Sequence, residues 1–216
     1  MSASFFFPRQ AAAALALALC SSLAAADTTV AVSIDTSSFG TDGWLDFTYA
    51  GASNGTALPS TVTLANFAGF DSAAEVFTDG QVSGSLGAGY VIGNGGGYND
   101  LFHAVNYGGV LSFTVTFSGD ADPAAIVAGS TFAVTAYDAD QQTQLGSSSD
   151  ELNGSLLTID WTPAAVAGGQ GSIATAVYSD FASVSAVPEP SSWLMLGIGA
   201  MLVAGVARRK AAAFTA

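Results

Sequence analysis

Cysteine is almost missing from this chain: of 216 residues only Cys20 is one. It lies in a leading segment expected to be removed, so the mature chain is expected to carry no thiol. That excludes disulfides, thiolate catalysis and cysteine metal sites from the body. Positive charge is nearly missing too. The basic residues are Arg9, Arg208, Arg209 and Lys210, against 17 acids and a formal net charge of −13. All four lie near the chain ends. Between residues 27 and 186 there are sixteen of the acids and neither lysine nor arginine. Nucleic-acid binding is excluded there, because phosphate contacts need cations. Adhesion of the body to an anionic bilayer fails for the same reason. The plain reading is a soluble surface that repels other polyanions. The sharper one is binding of a divalent cation such as Ca2+, which favours clustered oxygen ligands.

Histidine occurs once, as His103. A Ser-His-Asp triad would have to use it, and no nucleophile motif surrounds it. It reads instead as a partly buried or surface histidine in a strand. Paired carboxylates could in principle hydrolyse a glycoside, but so many acids make pairs by accident. No catalytic residue is assigned, and the chain is read as a non-enzyme. The run Gly93-Asn94-Gly95-Gly96-Gly97 lacks the lysine and helix of a phosphate loop and reads as a mobile loop.

The chain ends carry clear signals. Residues 1–26 read as a secretory signal peptide, with Arg9 before an apolar stretch at 11–20. Ala24, Ala25 and Ala26 form a small-residue cleavage site before Asp27. A lipoprotein reading would use Cys20, but the bulky Leu19 before it fits a lipobox poorly. At the other end, Pro188, Glu189 and Pro190 resist helix and ladder formation and read as an extended, accessible tag. Residues 193–207 are an apolar run at the short edge of what spans a bilayer. Arg208, Arg209 and Lys210 follow as a stop-transfer cluster on the cytoplasmic side.

This order of tag, apolar run and basic cluster resembles the PEP-CTERM sorting signal of exported bacterial proteins. The resemblance implies an exosortase, a membrane protease that recognises Pro188-Glu189-Pro190. It would cut the protein from its tail and pass it toward the surface. The implied itinerary starts with signal peptidase and an inner-membrane-anchored precursor, and ends at the cell surface or outside the cell. The plainer alternative is a single-pass anchor that stays in the membrane. Such systems accompany exopolysaccharide, which makes exopolysaccharide an implied partner. The body is also similar to uncharacterised PEP-CTERM bodies at Asp35-Thr36-Ser37, Asn66-Phe67, Gly80-Gln81-Val82-Ser83-Gly84, Asn99-Asp100 and Gly109-Val110-Leu111-Ser112-Phe113.

Residues 27–186 read as one domain long enough for a real core, and 187–216 as the sorting segment. The body pattern is β throughout. Val30, Val32 and Ile34 alternate with polar residues, as do Leu45, Phe47 and Tyr49. Leu111, Phe113, Val115 and Phe117 give the clearest case. Strands are also expected at 61–67, 81–86, 90–92, 101–107, 131–137, 156–161 and 172–184, with 73–77 the one candidate for a short helix. Alternation means one buried and one wet face. Eight to ten such strands predict an antiparallel β-sandwich, jelly-roll or immunoglobulin-like. A signal helix and a short transmembrane helix flank it.

Two kinds of site residue stand out. Asp120 with Asp122, and Asp138 with Asp140, could each chelate one cation from a loop, though aspartate is also a routine turn residue. Trp44 and Trp161 could stack on sugar rings; Trp44, beside the Asp42-Gly43 turn, is the better candidate, although aromatics in strands usually belong to the core. Asn54-Gly55-Thr56 and Asn153-Gly154-Ser155 match the glycosylation sequon, but Asn-Gly is first a hairpin turn. Two functions follow: a structural or interaction protein of the surface matrix, or a carbohydrate-binding module, calcium-assisted, that engages exopolysaccharide.

Overall fold

The computed structural model describes residues 27–52, 57–119, 129–166, 169, 171–187, 197 and 199. Thirteen strands lie among them: β1 (Thr28–Asp35), β2 (Asp42–Gly51), β3 (Ser60–Ala68), β4 (Val76–Asp79), β5 (Val82–Ser85), β6 (Gly89–Gly93), β7 (Asp100–Asn106), β8 (Val110–Gly119), β9 (Ser130–Asp138), β10 (Gln144–Leu145), β11 (Leu157–Thr162), β12 (Ser172–Val177) and β13 (Ala182–Ala186). They form two sheets in which every pairing is antiparallel. Sheet A runs β13-β1-β8-β3-β6-β5. Sheet B runs β12-β11-β9-β2-β7-β4, with β10 on the flank of β9. The expected sandwich is therefore present.

Strict alternation decides which way each strand faces. Val30, Val32 and Ile34 point inward from β1, and Leu111, Phe113, Val115 and Phe117 from β8. Leu45, Phe47 and Tyr49 answer them from β2. The sheets meet through aromatic edges: Phe47 meets Phe113 at 5.2 Å and 88°, and Tyr49 meets Phe117 at 6.2 Å and 65°. Each such side chain, fully buried, contributes roughly 1.5–3 kcal/mol. The single cysteine, Cys20, lies outside the body, so no disulfide adds to this core.

Polar groups close one end of the core. The Tyr49 hydroxyl and Ser60 Oγ lie 2.7 Å apart, and Asn94 accepts from the Ser60 backbone N–H at 3.0 Å. Asn94 Nδ2 donates to the Leu58 carbonyl at 2.7 Å and to Ser130 Oγ at 2.9 Å. The glycine run at 93–97 is thus pinned at its start rather than free, and Gln81 Oε1 holds the Gly95 N–H at 3.1 Å.

Three segments depart from simple alternation. In β3, the register shifts between Ala65 and Ala68, where Asn66 takes φ 54°. Asparagine tolerates that left-handed conformation better than most residues. Unbroken alternation from Val62 and Leu64 would send Phe67 outward. The bulge turns it inward, onto Phe113 at 5.9 Å. Residues 73–77 are not a helix: a turn leads directly into β4, which pairs with β7. Residues 172–184 are not one strand. Tyr178-Ser179-Asp180-Phe181 turns the chain, so β12 ends sheet B and β13 ends sheet A.

Candidate functional site

Successive side chains on a strand point to opposite faces. The inward run Leu45, Phe47, Tyr49 therefore sends Trp44, Asp46 and Thr48 outward from sheet B. Register sets their neighbours. Trp44 lies between Tyr137 of β9 and Ala104 of β7. Asp46 lies between Thr135 and Phe102, and Phe102 is paired in turn with Phe77 of β4. In the next row Thr48 neighbours Asp100, which neighbours Asp79. The outer face of β9, β2, β7 and β4 thus combines four aromatic rings with three carboxyl groups.

The rings form a stack. Trp44 lies on Phe102 at 4.8 Å and 9°, and on Phe77 at 5.4 Å and 24°. Tyr137 meets Phe102 edge-on at 5.7 Å. Small Ala104 beside Trp44 leaves room for the indole to lean across β7 toward β4. Trp44 is only 7% exposed, whereas Phe77 is 47% and nearby Tyr98 is 56% exposed. Trp44 is therefore a strand residue packed on the outer face, not a loop-edge residue, and Phe77 and Tyr98 carry the accessible ring surface. Trp161 belongs to the core. Behind the face, the Tyr107 hydroxyl donates to the Trp44 carbonyl at 2.7 Å and the Tyr137 carbonyl at 2.9 Å, fastening β2 and β9.

Asp46 and Asp100 are diagonal neighbours on β2 and β7. As two carboxylates, each would leave its Oδ1 buried without a donor. A proton on Asp46 removes that problem, because the acid can then donate to Asp100. Burial, followed by the hydrogen bond and charge of Asp100, pushes the Asp46 carboxyl up to about 9. Asp46 therefore keeps its proton at neutral pH. No lysine or arginine exists in the body to neutralise the pair otherwise. Partial burial, and then the charges that Asp46, Asp100, Tyr137 and Asp79 carry at alkaline pH, raise the Tyr98 phenol and keep it neutral.

A cleft of about 250 Å³ opens beside the stack, lined by Trp44, Asp42, Asp71, Ala104 and Asn106 among others. A larger hollow of about 440 Å³ lies near Asn94 and Gln81, lined mainly by glycine, serine and threonine. Only the first combines a ring edge with carboxylates and an amide.

The other residues expected to be functional fall elsewhere. His103 faces the core and is 1% exposed, more deeply buried than expected. Its Nδ1 lies 2.7 Å from the Ala104 carbonyl, and Phe70 and Tyr90 pack edge-on against its ring. Burial lowers its pKa, so it is neutral. Asp140 caps a turn, accepting from the Gln142 and Thr143 N–H groups at 2.9 and 2.8 Å and from Thr143 Oγ1 at 2.6 Å. Asp138 accepts from Ala139 N–H at 2.8 Å. Among the described residues no group of three or more His, Cys, Asp or Glu could hold a metal. Asp120 and Asp122 lie outside the described residues, as does the sequon at Asn54. Ala24, Ala26, Pro188, Glu189, Pro190, Arg208, Arg209 and Lys210 do too. In the tail only Gly197 and Gly199 are described, both helical, and no helix among the described residues is long and apolar enough to cross a membrane.

The sandwich ends at Ala186, and the sorting tag begins almost at once. The described body is thus a β-sandwich with a short C-terminal segment behind it. Residues 186–210 match the family model of the PEP-CTERM protein-sorting motif. The chain carries that motif, which implies export, sorting to the envelope and processing by an exosortase. No curated protein and no solved structure matches the chain.

Proposed function

We propose that the chain is a non-enzymatic protein of the cell surface or extracellular matrix. It is exported through a signal peptide at 1–26, held briefly in the inner membrane by its tail, and released by an exosortase in a system linked to exopolysaccharide. The observation that carries this reading is the PEP-CTERM motif at 186–210, which starts on the last residue of the last strand of the sandwich. An acidic body without lysine or arginine suits a surface rich in other polyanions, because it does not adhere to them. Cell fractionation tests it. The wild-type protein is expected at the surface or in the medium, and a variant with alanine at Pro188, Glu189 and Pro190 in the inner membrane. Identical fractions for both would contradict it.

The cleft beside Trp44 favours a second reading, a carbohydrate-binding module that engages exopolysaccharide. Aromatic edges and carboxylate acceptors are the groups that hold sugar rings and hydroxyls. Asp138 and Asp140 are the described candidates for calcium assistance. Pull-down of the purified body on insoluble polysaccharides tests this reading. Retention lost in Asp71→Asn and Phe77→Ala, with both variants still unfolding cooperatively from a native state, supports it; no retention on any glycan removes it. A melting temperature unmoved by millimolar calcium would remove the calcium assistance, because a ligand of the native state must stabilise it.

A further inference from the structure

The last strand of the body and the sorting tag nearly overlap. β13 is the outermost strand of sheet A, and its ladder to β1 runs through the pair Val30–Ala186. Val187 N–H adds one more bond, to the Thr29 carbonyl at 3.3 Å. Pro188 follows immediately. The motif match itself begins at Ala186, inside the strand. The first strand starts at the same pole, since β1 runs antiparallel to β13, so both the Asp27 end and the tag leave the sandwich side by side.

This geometry leaves little room. Only residues 187–192 separate the last ladder pair from the apolar run that begins at Trp193. Fully extended, those residues reach roughly 20 Å. In the precursor the terminal pole of the sandwich is therefore held close against the bilayer. A protease takes its substrate as an extended run on both sides of the bond it cuts, with backbone groups free to pair. Just before the tag, those groups already pair with β1.

β13 is also weakly held. It is an edge of five residues, of which Ala182 is buried, Val184 partly buried, and Ser183, Ser185 and Ala186 exposed. Apart from Ala182 and Val184, it contributes little to the core. Elements with few buried contacts open at the lowest free energy. Its release would add five residues of slack, roughly 17 Å of extended chain.

We propose that β13 is a release strand: it unpairs from β1 so that the membrane sorting protease can take the tag and the residues before it. The inference rests on the sorting reading above. It makes the β1–β13 ladder, rather than the tag alone, a determinant of how fast the precursor is processed.

A cross-link tests it in the full-length precursor in cells that carry the exosortase. Ser33 and Ser183 are direct partners on the outer face of sheet A. Opposed positions on paired strands lie at Cα separations that a disulfide can bridge. In the double variant Ser33→Cys/Ser183→Cys, the oxidised precursor is expected to be processed at least tenfold more slowly. Reductant should restore the rate, and each single variant should process normally. Formation of the disulfide reports that the body has folded. A flexible Gly-Ser insertion of about ten residues between Val187 and Pro188 should rescue the cross-linked form by supplying the missing slack. Processing of the oxidised double variant at the wild-type rate would overturn the inference while leaving sorting intact. Processing of the alanine-tag variant at the wild-type rate would overturn the sorting reading, and this inference with it.

Discussion

The two outer faces of the sandwich follow the same alternation and carry opposite chemistry. On sheet A the outward positions are small and hydroxylated: Thr29 and Ser33 on β1, Ser112, Thr114 and Thr116 on β8, Thr63 on β3. They bond sideways to one another and to backbone, as Thr29 does with Thr116 at 2.9 Å and Thr114 with the Ala65 carbonyl at 3.1 Å. On sheet B the equivalent positions hold Trp44, Phe77, Phe102 and Tyr137 beside Asp46, Asp79 and Asp100. One face bonds largely within itself and holds only aliphatic apolar groups on its strands, such as the exposed Val110. The other buries aromatic surface on its solvent side and stores a proton to do so. A face needed only for solubility requires neither, and sheet B is the face to which the proposed carbohydrate reading points.

The largest expected effect separating the faces comes from truncation. Trp44→Ala removes two stacked contacts and should cost about 3–5 kcal/mol, read by urea unfolding. Thr114→Ala on sheet A should cost about 1 kcal/mol or less. Equal costs would erase the distinction.

The acid pair gives the next effect, and its sign is fixed by linkage. Asp46 in the folded chain releases its proton only near 9, whereas an ordinary aspartate does so near 3.8. Folding therefore retains a proton that unfolding would release. Stability falls as pH rises from about 4 toward 9, then levels off. Asp46→Asn keeps a donor for Asp100 and abolishes the titration. The variant should match wild type at pH 3.5 and exceed it at pH 5.5 by on the order of 2 kcal/mol. A pH profile as steep as wild type would show that Asp46 is not the protonated partner.

Smaller effects sharpen the picture. Tyr107→Phe strips the donor from the Trp44 and Tyr137 carbonyls and should cost about 1–2 kcal/mol. Phe77→Ala, at a half-exposed ring, should cost about 1 kcal/mol yet weaken retention on polysaccharide more than any substitution on sheet A.

Much of this was legible in the sequence, and the physical reasons differ by region. β1, β2 and β8 were readable because a period of two with one buried face leaves a direct mark in composition. Residues 73–77 misled because Ala-Ala-Glu favours a helix locally, while pairing with β7 decided the outcome. The break between β12 and β13 was hidden because Tyr178-Ser179-Asp180-Phe181 carries neither glycine nor proline. Trp44 could be singled out from its own neighbourhood. Its stacking partners could not, because Phe77 and Phe102 reach it only through register between strands distant in sequence. The same holds for Asp46 and Asp100. Alternation places each on an outer face, but nothing local says that they meet.

The measurement that tests the central claim most directly is the intact mass of the protein recovered from the surface or medium of its host. The expected species begins at Asp27, ends close to Pro188-Glu189-Pro190, and disappears when those three residues are alanine; added mass would report glycosylation. A surface species that keeps Arg208 through Ala216, whether or not the tag is present, would contradict release by sorting and make the sandwich a permanently anchored domain.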